Sequence, residues 1–164
     1  MRIPKIYPAS IAILAVFAVS ACSDDDTTGN DLDTQFSATL TGTAERPDPV
    51  TTTATGTSTV TIDDAAQTLT FSINVTGLTS PTLAHIHVGT TSEAGPIAVN
   101  LLTTAPATGP FTGVLASGTR SATDVTGGET FATLVAKIRA GNAYVNVHTV
   151  AKPGGEIRGQ LVAQ

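Results

Sequence analysis

This chain of 164 residues has no tryptophan, two tyrosines, five phenylalanines and a single cysteine. One cysteine cannot close an internal disulfide, so any fold must rest on its core and its hydrogen bonds. Basic residues are also scarce, eight against 13 acidic ones. Such a balance excludes a nucleic-acid binder, which needs a basic patch, and disfavours electrostatic adhesion to anionic surfaces. The longest apolar run, within Ile11 to Val19, is too short and wrongly flanked for a comfortable membrane-spanning helix. No Gly-x-Ser-x-Gly elbow, phosphate loop or dinucleotide fingerprint occurs, and no Cys–His nucleophile pair is available. Nothing in the sequence is an enzyme signature.

What is present begins with a leader. Arg2 and Lys5 precede the apolar run, and small residues lead to Val19-Ser20-Ala21-Cys22. This resembles a bacterial lipoprotein signal, which implies removal of residues 1–21 and lipidation of Cys22. A lipid anchor holds a protein on a membrane without a spanning helix. Ser23, where lipoprotein sorting would place an aspartate for inner-membrane retention, implies an outer-membrane destination. Residues 22–35 are otherwise polar and acidic and read as a solvated tether. Without the leader the chain keeps six of its eight basic residues and all 13 acidic ones, a net charge of −7. Residues 36–164 then have the length of one domain.

Threonine and valine in short alternating runs, separated by glycine and proline, predict an all-β domain. Expected strands are 36–42, 56–62, 67–78, 83–88, 97–102, 109–116, 143–150 and 156–162. The spacing of Leu134 and Ile138, with Lys137 and Arg139 near the end and Gly141 beyond, fits a short helix near 131–140 and equally a strand followed by a turn. About eight such strands make an antiparallel immunoglobulin-like sandwich or a small barrel.

All three histidines lie in alternating segments, where residues two apart share a face. One face thus carries His85 and His87, then Tyr144, Asn146 and His148, then Glu156, Arg158 and Gln160. The opposite face carries Ala84, Ile86, Val88, Val145, Val147, Ile157 and Leu161. Two readings of the polar face follow. His85, His87 and His148 form a candidate three-imidazole site for copper or zinc, with Asn146 or Glu156 accepting a ligand's second ring N–H. Alternatively the face is a polar network of Tyr144, Asn146, Glu156 and Arg158 with the histidines, which sets strand register without chemistry.

The segments Ala84-His-Ile-His-Val-Gly89, Gly141-Asn-Ala-Tyr-Val-Asn-Val-His-Thr149 and Pro153-Gly-Gly-Glu-Ile-Arg-Gly-Gln160 resemble the CHRD (chordin-type) domain, with a match expected over roughly residues 36–163. The resemblance implies an immunoglobulin-like β-fold in an extracytoplasmic setting and little about activity. His-Ile-His also resembles a copper-ligand strand of copper–zinc superoxide dismutase. Three histidines and no cysteine pair are too few for that enzyme's metal sites and disulfide. The sequence therefore points to a membrane-anchored, non-enzymatic module for binding, adhesion or structure in the cell envelope. Loops 89–96 and 103–110 would meet a protein or cell-surface ligand. The alternatives are a copper- or zinc-binding protein and, third, a metal-dependent redox enzyme.

Overall fold

A computed structural model describes residues 34–106 and 108–164. The expected signal, Cys22 and most of the tether lie outside the described residues. Among the described residues nine strands form: β1 Gln35–Thr41, β2 Thr55–Asp63, β3 Thr68–Thr79, β4 Pro81–Val88, β5 Ile97–Leu102, β6 Pro110–Ser121, β7 Ala143–Thr149, β8 Ile157–Gln160 and β9 Val162–Ala163. They make one antiparallel sheet in the order β5-β4-β7-β8-β1-β2-β3-β6, with β9 continuing beside β1. The expected all-β class is met, in the form of a single, nearly closed barrel.

Closure is made by side chains and a short bridge. Val99 of β5 pairs with Val125, just beyond β6, and the Thr126 N–H donates to the Ala98 carbonyl at 2.8 Å. Arg120 at the end of β6 donates to the carbonyls of Asn100 and Leu101, each at 2.8 Å. These contacts satisfy part of β5's otherwise open edge, the usual liability of a terminal strand.

Alternation explains which side of each strand faces inward. On β3, Leu69, Phe71, Ile73 and Val75 are buried; on β2, Val60 and Ile62 join them while threonines face out. Of the two readings of 131–140 the helix is the one that forms, as α1, Phe131–Arg139. Thr130 caps it by accepting from the Thr133 N–H, and Gly141, at φ +70°, ends it. Phe131, Leu134, Val135 and Ile138 enter the common core.

β7 departs from simple alternation, because all seven of its residues are buried. Ala143, Val145 and Val147 face the core at 0% exposure, as expected. Tyr144, Asn146 and His148 on the other face are covered as well. Connections that fold back over the sheet cover them, and the polar face of β4, β7 and β8 becomes an interior.

A candidate metal centre and its buried surroundings

β4 and β7 are neighbours, paired with His87 opposite Tyr144, His85 opposite Asn146 and Leu83 opposite His148. His148 is thus the diagonal neighbour of His85 on the face that also carries His87. The three rings converge. His85 Nδ1 lies 3.0 Å from His148 Nε2, and one ring nitrogen from each histidine can be chosen so that all lie within 4.8 Å of one another.

Backbone carbonyls set the tautomers. His148 Nδ1 is 2.9 Å from the Pro153 carbonyl, and His87 Nδ1 is 2.8 Å from the Gly95 carbonyl. A carbonyl only accepts, so both Nδ1 atoms carry the proton and both Nε2 atoms present a lone pair. Without a metal, His85 Nδ1–H donates to His148 Nε2. His87 Nε2 is buried and has no partner among the described residues. All three rings are held neutral. Burial and then the neighbouring imidazoles push His85 down to about 4. Burial likewise lowers His87, against the opposing hydrogen bond it donates to the Gly95 carbonyl, and lowers His148.

The second ring nitrogens of His87 and His148 therefore use main-chain acceptors, where the sequence suggested Asn146 or Glu156. Glu156 lies away from the rings: its carboxylate accepts from Thr52 at 2.7 Å and Thr149 at 2.6 Å. Asn146 instead donates through Nδ2 to both carboxylate oxygens of Glu45, each at 2.9 Å. Glu45 was not legible as a site residue, since it sits in an irregular connection with no periodicity to mark it. It is 3% exposed, and burial raises it to about 7 even though Arg158 opposes that shift.

Arg158, the largest fully buried side chain, ties the face together. Its guanidinium lies 3.4 Å from the centre of the Tyr144 ring, whose plane is stacked within 8° of His87. It donates at 2.6 Å to each of the Glu93 and Thr90 carbonyls, pinning loop 89–96 onto the sheet. Gly95 closes the same loop: its N–H donates to the Tyr144 hydroxyl at 3.0 Å while its carbonyl holds His87. Gln160 Nε2 donates to the Gly89 and Gly141 carbonyls.

Gly155 shows how tightly this interior is filled. Its φ is +127°, and an added Cβ would stand 2.6 Å from Asn146 Nδ2 and 2.8 and 2.9 Å from the two Glu45 oxygens. Gly155→Ala combines backbone strain with displacement of a buried carboxylate. We expect it to lower unfolding free energy by about 2–4 kcal/mol in chemical denaturation. A loss under about 0.5 kcal/mol would mean the Glu45–Asn146 packing is loose.

A family model described as the CHRD domain matches residues 36–161. No curated protein matches the chain, and no solved structure does.

Proposed function

The chain belongs to the CHRD family, and from that premise we propose that its β-domain holds one transition-metal ion, copper or zinc, through His85, His87 and His148. One observation carries the reading. Two of the rings are locked by main-chain carbonyls with their Nε2 lone pairs turned inward, and one of those lone pairs, on His87, is buried without a partner. Ligating imidazoles require this arrangement, the second N–H satisfied and the basic nitrogen free. Depressed pKa values support it, because neutral rings need not lose a proton to bind. A three-imidazole set lacks thiolate and carboxylate ligands and suits copper or zinc, with a fourth position open to water or an external ligand.

A lipid anchor at Cys22 and the acidic stretch that follows would place this module at the cell envelope, probed by whether Cys22→Ala moves the protein from the membrane fraction to the soluble one. Binding or adhesion through loops 103–110 is compatible with a metal site. Loop 89–96, held down by Arg158 and Gly95, serves as the cover of the histidine face.

Titration of the full chain with zinc and with copper is expected to show one equivalent bound at micromolar affinity or tighter. At a free metal concentration near 100 times Kd, bound metal should raise unfolding free energy by about 2.7 kcal/mol. His87→Ala should abolish this gain; because it also removes the bond to the Gly95 carbonyl and the ring stacked on Tyr144, the gain is read within each protein as the difference between metal-loaded and metal-free unfolding. Absence of stoichiometric binding, or binding unchanged by His87→Ala, would refute the proposal.

A further inference from the structure

Every donor at the histidine site is uncharged. His85, His87 and His148 form the cluster by themselves, with no carboxylate or thiolate joining them among the described residues. Burial holds all three rings neutral. Two carboxylates on this side of the sheet are engaged elsewhere. Glu156 accepts from Thr52 and Thr149, and Glu45 accepts both Asn146 hydrogen bonds. Burial also pushes Glu45 up to about 7, so it carries only part of a negative charge near neutral pH.

The charged side chain that acts on the rings is instead a cation. The Arg158 guanidinium lies 3.4 Å from the centre of the Tyr144 ring, and His87 stacks on the same ring at 4.9 Å with 8° between the planes. Strand β7 runs between β4 and β8, so His87 and Arg158 reach Tyr144 from opposite sides. One aromatic ring separates the cation from a ligand imidazole, and its charge disfavours a second positive charge on His87. Arg158 is 2% exposed, so water screens this repulsion little.

Placing an ion in a buried site costs free energy that grows with the square of its charge, unless a nearby anion offsets it. A divalent ion here would meet three neutral donors and a cation one ring away. Copper(I) brings half that charge. Its filled d shell imposes no geometry, and three imidazoles complete its coordination, whereas zinc with three histidines still takes a fourth ligand. We propose that this site selects copper(I) over the divalent ions zinc and copper(II), with Arg158 setting the preference through Tyr144. This rests on the metal reading above and narrows it to one ion and one oxidation state. Arg158 acts as a charge neighbour and not as a ligand.

The full chain is titrated anaerobically with copper(I) in competition with a chromogenic copper(I) chelator, and separately with zinc and with copper(II). The dissociation constant for zinc should exceed that for copper(I) by about 100-fold or more. Copper(II) should also bind more weakly than copper(I), which places the reduction potential of the bound copper above that of the aqueous couple. Zinc or copper(II) bound as tightly as copper(I) would overturn the selectivity and leave the three-histidine site standing. Stoichiometric uptake of none of the three ions would remove the site itself.

Two substitutions outside the ligand set test the charge. At pH 8, where the wild-type carboxylate is largely ionised, Glu45→Gln should raise the ratio of copper(I) to copper(II) affinity by about tenfold. That is the effect of one unit charge roughly 10 Å away at an effective dielectric constant of about 20. Arg158→Met should lower the ratio by a similar factor. Structural damage alone would move both variants the same way, so opposite shifts identify charge as the cause. Glu45→Gln also decides the matter if Arg158→Met does not fold: an unchanged ratio would overturn the assigned role of the neighbouring charges.

Discussion

Arg158→Met is expected to lower unfolding free energy by about 3–5 kcal/mol, the range found when one partner of a buried charge pair is removed. The side chain is 2% exposed, so methionine fills much of its volume and the loss is electrostatic rather than a void. Two charge-assisted hydrogen bonds at 2.6 Å disappear, leaving the Glu93 and Thr90 carbonyls and loop 89–96 without their fastening. The cation over Tyr144 goes too, and Glu45 loses the charge that most favours its ionised form. Urea denaturation monitored by tyrosine fluorescence or circular dichroism measures the loss. The double variant Arg158→Met/Glu45→Gln should recover part of it, because the carboxylate left without compensation is then neutral. Losses that simply add would show that the two charges are not coupled. Hydrogen exchange adds a local readout, with amides of loop 89–96 losing protection ahead of those in β2 and β3.

The second large effect is on pH dependence. His85 is depressed from its ordinary value of 6.5 to about 4. As pH falls below 6.5 the unfolded chain takes up a proton that the folded one refuses until near 4, so stability is lost across that window. His87 and His148, also lowered, act in the same direction. Glu45 acts oppositely: raised from 4.5 to about 7, its contribution is fully present below 4.5 and is lost as pH rises through 7. The metal-free wild type should therefore lose less stability on mild acidification than its histidines alone dictate. Glu45→Gln removes the compensation. Its stability relative to wild type should be highest above pH 8 and decline by on the order of 3 kcal/mol toward pH 4.5. Chemical denaturation of both proteins at several pH values tests this directly. A pH-independent difference would mean that Glu45 titrates in the fold as it does in the unfolded chain.

Much of the domain is legible from local pattern. Strict alternation in 67–78 marks β3 and its inward residues, and the Leu134–Ile138 spacing with Gly141 fits α1 without excluding a strand and turn. Strand ends were less legible. β6 runs on to Ser121, past the 116 that its alternation suggested, because it keeps pairing with β3 down to Thr68. The polar face was legible as a set of side chains but not as an interior. Nothing in the alternation of Ala143 to Thr149 says that both faces of β7 are covered. Burial there comes mainly from connections far away in sequence, which carry Glu45, Thr90, Glu93 and Gly95 onto the sheet, joined by Pro153 from the turn that follows β7.

The sequence by itself determined that His85 and His87 share a face, since a strand's two-residue period is a local property of the backbone. It likewise determined the all-β class and the separation of apolar from polar sides. Only the tertiary structure decided that β7 lies beside β4, bringing His148 within 3.0 Å of His85. It also decided that main-chain carbonyls orient the rings, that Glu156 stands apart, and that Glu45 takes a place beside Asn146 and Arg158. Strand order, register and the path of irregular loops follow from burying one core and pairing nearly every edge at once. That is a condition on the whole chain, and no short window of residues carries it.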